Sequence, residues 1–288
     1  MKRYAGIVVF YNPGAEVQTN IESYINSLEK LYIMDNSDFP DKTLINDILD
    51  NKKIVYKSMN GNKGLAAALK VGCETAIQDG FDYVLTMDQD SVFANDSVEN
   101  IISFIESSNN QYAVVASNAI SVYQDELTKE RKEAYTELDS DNKECYWAMT
   151  SGSMMNLKDY QLTKGFDEDL FIAHIDIDIG IQFHLLGKKI IKLRDAKLYQ
   201  TFGNSKPKKL LWKTVHPSFA HPNRTYYIFR NQKYLERKYP KSKKLIGVKL
   251  YKFLIKIICF ESNKLDKIKM AYRGVKDARD LKMGECSY

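Results

Sequence analysis

The chain has 288 residues, 44% hydrophobic and 27% charged, with a formal net charge of +5. That balance excludes a disordered or fibrous polypeptide and supplies enough apolar surface for one large domain, or a domain with an appendage. Four scattered cysteines (Cys73, Cys145, Cys259, Cys286) form no Cys-x-x-Cys pair, which argues against a zinc site or disulfide framework and for a reducing cytoplasm.

Met1-Lys2-Arg3-Tyr4 gives way at once to Ala5-Gly6-Ile7-Val8-Val9-Phe10. The run is too short and wrongly continued for a signal peptide, so it reads as a first buried strand. Further β-rich apolar runs are expected at 31–34, 54–59, 83–87 and 112–116, the first strand covering 6–11. Helical stretches fall between them at 17–28, 43–50, 64–78 and 96–107. The alternation predicts an α/β domain with a doubly wound, mostly parallel sheet and helices on both faces. Four strands end in polar residues: Tyr11-Asn12-Pro13, Asp35-Asn36-Ser37, Asn60-Gly61-Asn62 and Asp88-Gln89-Asp90. In a parallel sheet these ends lie along one rim, where ligands of open α/β sheets sit. Neither a dinucleotide fingerprint nor a P-loop is present.

Asp88 and Asp90 follow the apolar run Phe81–Met87. At i and i+2 on an extended chain they point the same way and can converge on one cation. Oxygen-only ligation suits Mg²⁺ or Mn²⁺, which commonly add substrate phosphates to one or two carboxylates. Asp35-Asn36-Ser37 is equally good turn chemistry. Asn62-Lys63-Gly64 opens a helix rich in small residues, which suits either an ordinary N-cap or phosphate oxygens.

Charge divides the chain. Residues 205–288 hold 22 Lys and Arg against 6 Asp and Glu, a net +16, which leaves −11 for residues 1–204. We therefore read 1–204 as the ligand-binding domain and 205–288 as a basic, mainly helical region. Leu245–Phe260 is apolar except for Lys249, Lys252 and Lys256. It is too short and too charged to span a bilayer. The lysine stripe suits either peripheral membrane contact or a helix packed on the domain with its charges in water.

In order and spacing, Val8-Val9-Phe10-Tyr11-Asn12-Pro13, Met34-Asp35-Asn36-Ser37, Asn62-Lys63-Gly64-Leu65 and Met87-Asp88-Gln89-Asp90-Ser91 form a recognisable series. Ser151-Gly152-Ser153, Phe171-Ile172, Ile175-Asp176-Ile177-Asp178 and Arg224-Thr225-Tyr226-Tyr227 continue it. The chain resembles the inverting family 2 glycosyltransferases of the GT-A fold, specifically a bacterial rhamnosyltransferase-like branch. The resemblance implies a nucleotide-sugar donor, dTDP-rhamnose or a UDP-hexose, and an oligosaccharide or lipid-linked acceptor in cell-surface polysaccharide synthesis. Localisation would be cytoplasmic or peripheral at the inner face of the membrane, with no nucleic-acid partner. Donor contacts are expected from Tyr11, Asn12, Asp35, Asn62, Lys63, Gly64, Asp88, Gln89 and Asp90. Asp35 would accept the base's ring N–H. Asp90 and Asp88 would hold Mg²⁺ or Mn²⁺. Asp176 matches the base that takes the acceptor proton, with acceptor contacts at Ser151, Gly152, Ser153, Asp178 and Arg224. Gln200 stands where the family often has a third metal ligand, a histidine, and His221 is the candidate to compensate. A metal-dependent phosphohydrolase built on the same carboxylates is the alternative reading, although the His-rich constellation of a two-metal site is missing.

Overall fold

The sheet begins with β1 (Tyr4–Phe10), buried at every position, as a continuous apolar run must be when helices cover both sheet faces. The computed structural model describes residues 2–124, 131–201, 208–210, 213–215, 217, 219, 221–247 and 249–286. After β1 come α1 (Val17–Glu22), β2 (Lys30–Asp35), α2 (Lys42–Leu49), β3 (Ile54–Ser58), α3 (Leu65–Gln78) and β4 (Tyr83–Asp88). There follow β5 (Ser91–Phe93), α4 (Ser97–Ser107), β6 (Tyr112–Gln124), β7 (Arg131–Thr136), β8 (Lys143–Cys145) and β9 (Ser153–Asn156). The chain continues through α5 (Leu157–Tyr160), α6 (Ile175–Leu185), β10 (Lys189–Gln200), β11 (Lys208–Leu210) and β12 (Lys213–Val215). Four helices close it: α7 (Pro222–Lys238), α8 (Lys243–Ile246), α9 (Leu250–Phe260) and α10 (Lys264–Arg279).

The main sheet runs β3-β2-β1-β4-β9-β6-β10-β5, with β7 on β6 and β8 on β10. Its first four strands are parallel, as are β6 and β10. The short β9 lies antiparallel between these two parallel blocks. The expected α/β architecture is present, with more antiparallel pairing than the βα alternation alone predicts. Register sets the site: Phe10 pairs with Asp35, and Val9 with Asp88, so the carboxyl ends of β1, β2 and β4 finish level.

Each sheet face carries its own core. Ala66, Leu69 and Cys73 of α3 and Ile177 and Phe183 of α6 cover one face. Val17 and Ile21 of α1, with Val98, Ile101 and Ile105 of α4, cover the other. Two expected helices differ from the reading. The segment 17–28 forms α1 and then a separate 3₁₀ turn at Ile25–Ser27. The 245–260 stretch is broken at Gly247, which takes a left-handed conformation after α8, so only Leu250–Phe260 forms the apolar helix. The division expected at 204/205 lies outside the described residues.

In the basic region α7 is the hub. Gly274 of α10 lies so close to it that a Cβ there would sit 2.5 Å from the Tyr226 carbonyl oxygen and 3.0 Å from the Arg230 nitrogen. A buried pair, Lys267 Nζ to Glu261 at 2.6 Å, joins α10 to the end of α9.

Gly274→Ala tests this packing. In an open helix the change stabilises by up to about 1 kcal/mol, but here the methyl meets backbone that cannot rotate away. Urea unfolding should show a loss of about 1–3 kcal/mol; a gain would mean that α10 can move off α7.

Candidate active site

The level ends of β1, β2 and β4 floor a cavity of about 540 Å³. Tyr11, Asn36, Asn62 and Gly64 line one side, Asp88, Gln89, Asp90 and Gln200 the base, and Asp176 and Arg224 the other side. The floor is stiffly held. Gln89 grips the Tyr11 backbone in both directions, its Oε1 accepting from the Tyr11 N–H at 2.7 Å and its Nε2 donating to the Tyr11 carbonyl at 3.2 Å. The Ser151 hydroxyl accepts from the Asp88 N–H at 3.1 Å and donates to Ser91 Oγ at 2.8 Å. Asn36 is buried; its amide donates to the Gly64 carbonyl and accepts from the Lys63 N–H. Gly64 itself must be glycine: its φ is +87° and a Cβ would lie 2.6 Å from the Phe171 ring.

Three carboxylates from two distant segments share this space. Burial pushes Asp88 up to about 6, reinforced by Asp90 and Asp176, while Arg224 and a 2.8 Å bond from Gln200 Nε2 pull it down. Asp90, open at the mouth, is also raised, with desolvation by the surrounding walls the main cause and Arg224 opposing it. Burial raises Asp176 to about 6 against the pull of the Ile177 N–H, Lys192 and Arg224. The Arg224 guanidinium is thus a positive charge felt by all three. Such a set can bind a divalent cation or a polyanion with its counterion, and Asp176 is poised to take a proton near neutral pH.

Asp176 owes its place to a strained turn. Phe171, Ala173 and His174 have φ of 60°, 69° and 61°, a region costly for residues with a Cβ. Two fully buried side chains of α7 hold the turn. Asn231 Nδ2 lies 2.9, 2.7 and 2.9 Å from the carbonyls of Leu170, Ile172 and Ala173, and Arg230 Nη2 donates to those of Asp169 and Leu170 at 3.0 Å each. Arg230 Nη1 reaches the Gly284 carbonyl, and its guanidinium lies over the Tyr226 and Tyr227 rings. His174, pushed down to about 4 by burial, is neutral at physiological pH.

Of the residues expected from sequence, Tyr11, Asn62, Gly64, Asp88, Gln89, Asp90, Ser151, Asp176, Gln200 and Arg224 line the one cavity. Others do not. Asp178 is fully buried and bonded to Lys238, Tyr239 and Gln182, so that it ties α6 to α7. Ser153 is buried with its hydroxyl on the Met149 carbonyl, and a Cβ at Gly152 would collide with Ser117 and Leu198. These two lie behind the lining, while Ser151 is on it with its hydroxyl engaged by the Asp88 N–H and Ser91. His221 caps α7, its Nδ1 accepting from the Asn223 N–H, and is exposed off the wall. Asn12 and Lys63 are exposed beyond the lining. Asp35 lies behind the wall, accepting from the Ser37 N–H and the Tyr56 hydroxyl, both at 2.8 Å. Asn36, which does face the cavity, was signalled only by its neighbour Asp35.

Among the described residues, no group of three or more His, Cys, Asp and Glu side chains is arranged to hold a metal. The donor set nevertheless fits an oxygen-seeking divalent ion. Gln200 is buried, its Nε2 engages Asp88, and its Oε1 has no hydrogen-bond partner. Two carboxylates with raised proton affinity and one orphaned amide oxygen are what a hard cation would use, leaving further positions for phosphates.

Comparison with known proteins gives a consistent picture. The family model "Glycosyl transferase family 2" matches residues 7–177. A dTDP-rhamnosyl transferase, RfbF of Shigella flexneri, is 23% identical over 241 residues, covering 81% of this chain and 79% of that protein. Among solved structures, GalNAc-T7 with UDP, GalNAc and Mn²⁺ superposes with a TM-score of 0.55 at 12% identity, over 98% of this chain and 57% of that one. TarS 1–349 of S. aureus gives 0.53 at 12% identity, over 97% and 72%. The chain thus spans little more than half of the GalNAc-T7 chain, and both superpositions speak for a GT-A-like fold.

The carboxylates predict a trade-off between stability and chemistry. Asp88 and Asp176 hold protons up to about pH 6 in the fold, but only to about 4 when unfolded. Their ionisation therefore weakens the fold as pH rises through this window. Asp88→Asn or Asp176→Asn should raise unfolding stability at pH 7.5 by about 1–2 kcal/mol, with the gain shrinking toward pH 4. A lowered melting temperature at pH 7.5 would contradict the burial assigned to these groups.

Proposed function

The chain belongs to glycosyl transferase family 2, and from that premise we propose that it transfers a sugar, with inversion, from a nucleoside diphosphate to a saccharide hydroxyl. The observation that carries this reading is the meeting of Asp88, Asp90, Asp176 and Arg224 around one cavity at the carboxyl ends of the parallel strands. The donor's diphosphate would lie against Asp88 and Asp90, near Gly64 at the start of α3, where the positive end of the helix dipole favours anions. Asp90, Asp88 and the amide oxygen of Gln200 would hold Mg²⁺ or Mn²⁺. When bound, that ion neutralises charge on the diphosphate. The GalNAc-T7 structure, with UDP and Mn²⁺, supports a nucleotide with a divalent ion. Asp35, 1% exposed behind the wall, would meet the ring N–H of a pyrimidine once that wall shifts, each oxygen keeping a lone pair beside its present bond.

Chemistry then falls to Asp176. One of its oxygens accepts from the Ile177 N–H at 2.9 Å, which orients the carboxylate. The other takes the acceptor hydroxyl's proton as the oxygen bonds to the anomeric carbon. The bond from that carbon to the diphosphate breaks, and its electron pair leaves with the phosphate oxygen. Attack opposite the leaving group inverts the anomeric centre. Arg224 adds positive charge where the departing diphosphate gains negative charge.

We assign dTDP-rhamnose as the donor, supported by the similarity to RfbF, and a lipid-linked or free oligosaccharide of a cell-surface polysaccharide as the acceptor. Thymine and uracil present the same N–H to Asp35, so a UDP-hexose is the competing donor. A thermal-shift panel of dTDP- and UDP-sugars with Mg²⁺ or Mn²⁺ decides between them, because a ligand stabilises in proportion to its affinity.

Asp176→Asn should retain donor affinity while transfer falls roughly 100- to 10,000-fold. Collapse of donor binding with turnover per complex preserved would make Asp176 a binding residue. Asp90→Ala should lose on the order of 100- to 1000-fold in rate and weaken metal-dependent donor binding. Because the base works only when ionised and Asp176 is raised to about 6, wild-type transfer should climb as pH rises through 6 and level off above it. A rate flat from pH 5 to 8 would exclude a base of that pKa. Product NMR reads the anomeric configuration, and retention would overturn the mechanism.

A further inference from the structure

The last two long helices pack on α7 with one side and leave an apolar stripe on the other. Phe253 of α9 meets Phe229 of α7 edge to face, and Ala271, Gly274 and Ala278 of α10 are buried. On the outward side of α9, Tyr251, Ile255 and Ile258 are 58%, 43% and 52% exposed. Their spacing of i, i+4 and i+7 puts them on one face. On α10, Leu265, Ile268 and Tyr272 are 75%, 38% and 74% exposed, at i, i+3 and i+7. The turn joining the helices is locked by the buried Lys267–Glu261 pair.

Water is a poor partner for two such stripes, and the surrounding charge says what suits them better. Lys249 and Lys252 are exposed beside the α9 stripe, and Lys264, Lys269 and Lys276 are exposed on α10, within a region whose net charge is +16. Lys256 is drawn inward, where burial lowers its pKa, and Lys267 is taken up by its buried pair with Glu261. Two copies meeting through these faces would press like charges together, whereas an anionic surface would satisfy charge and apolar stripe at once. Insertion as a spanning helix is excluded by size: α9 is about 16 Å long at 1.5 Å per residue, against a hydrocarbon core of about 30 Å. No helix among the described residues is long and apolar enough to cross a membrane.

We propose that the outward faces of α9 and α10 form a docking surface for an anionic lipid bilayer. Tyr251, Ile255, Ile258, Leu265 and Tyr272 enter the headgroup boundary, and the lysines meet lipid phosphates. The inference does not depend on which sugar is moved, nor on the chemistry assigned to Asp176. It places the bilayer one helix away from the cavity, since α7 carries Arg224 on the cavity wall and Phe229 against α9.

Flotation of the full chain with vesicles tests it. The protein should rise with vesicles of equal parts phosphatidylcholine and phosphatidylglycerol, rise far less with phosphatidylcholine alone, and be released as salt is raised. Tyr251→Ser/Ile255→Ser/Ile258→Ser should weaken partition into the mixed vesicles by at least about 10-fold. Lys249→Ala/Lys252→Ala should weaken it by about 10-fold, and Leu265→Ser/Tyr272→Ser gives an independent readout from α10. Turnover on a soluble acceptor should be unchanged in all three, because none of these residues lines the cavity. Wild-type protein that stays unbound at low salt would overturn the proposal. So would serine variants that float like wild type. A wild-type dimer split by the serine substitutions, with vesicle binding unaltered, would overturn it in favour of an interface between copies.

Discussion

The site depends on one constraint: the backbone from Leu170 to His174 must hold a shape that it would not keep alone. Three residues with side chains occupy left-handed backbone there, at a cost of order 1–2 kcal/mol apiece. Arg230 and Asn231 make that shape the best available one. A buried guanidinium and a buried amide need acceptors, and the turn's carbonyls are the acceptors provided. Straightening the turn would strand a desolvated charge among the Tyr226 and Tyr227 rings, which costs more than the strain it relieves. The strained segment and the buried cation therefore stabilise each other, and Asp176, two residues beyond, inherits a fixed position.

This arrangement also explains why a basic C-terminal region is attached to an acidic sheet domain. The helices beyond β12 reach into the sheet domain's working parts. Asn231 and Arg230 fix the turn before α6, while Lys238 bonds Asp167 and Asp178 on either side of it. Gly284 closes the circuit, its N–H donating to the Asp169 carbonyl while its own carbonyl accepts from Arg230. The cluster at the cavity can then concentrate Asp88, Asp90 and Asp176 at the cost of mutual repulsion, because the scaffold around them does not depend on those three carboxylates for its cohesion.

Much of this was legible in the sequence, and the rest was not, for identifiable reasons. The βα alternation, the level polar strand ends and the Asp88/Asp90 pair are local patterns, and local patterns survive folding when both sheet faces are covered. Asp178 shows the limit. Its side chain sits two residues from Asp176 in an Asp-x-Asp repeat that suggests a shared role, but consecutive even positions share a side only on a strand. On a helix they diverge by about 200°, so Asp176 faces the cavity and Asp178 faces Lys238. The isoleucines of Ile175-Asp176-Ile177-Asp178-Ile179 alternate with a period of two and nevertheless form a helix, because α6 is buried nearly all round and needs no polar face. Ser153 and Gly152 are ambiguous in a similar way: small residues beside a cavity mark close backbone approach as readily as ligand contact.

Long-range contacts account for what sequence could not reveal. Nothing near Asn36 indicates that it clamps the Lys63–Gly64 peptide, and Gly64's need to be glycine arises from Phe171, more than a hundred positions away. Gln200 is the clearest instance. In sequence it stands where the resemblance calls for an imidazole, and the substitution suggests a lost ligand. In the fold its amide satisfies two demands that a neutral imidazole could meet only by dividing its ring nitrogens: Nε2–H steadies Asp88, and Oε1 is left facing no donor. An amide oxygen is a harder ligand than imidazole nitrogen, so with a cation held as proposed the exchange would favour Mg²⁺ over softer ions, while keeping the Asp88 carboxylate oriented toward the same space.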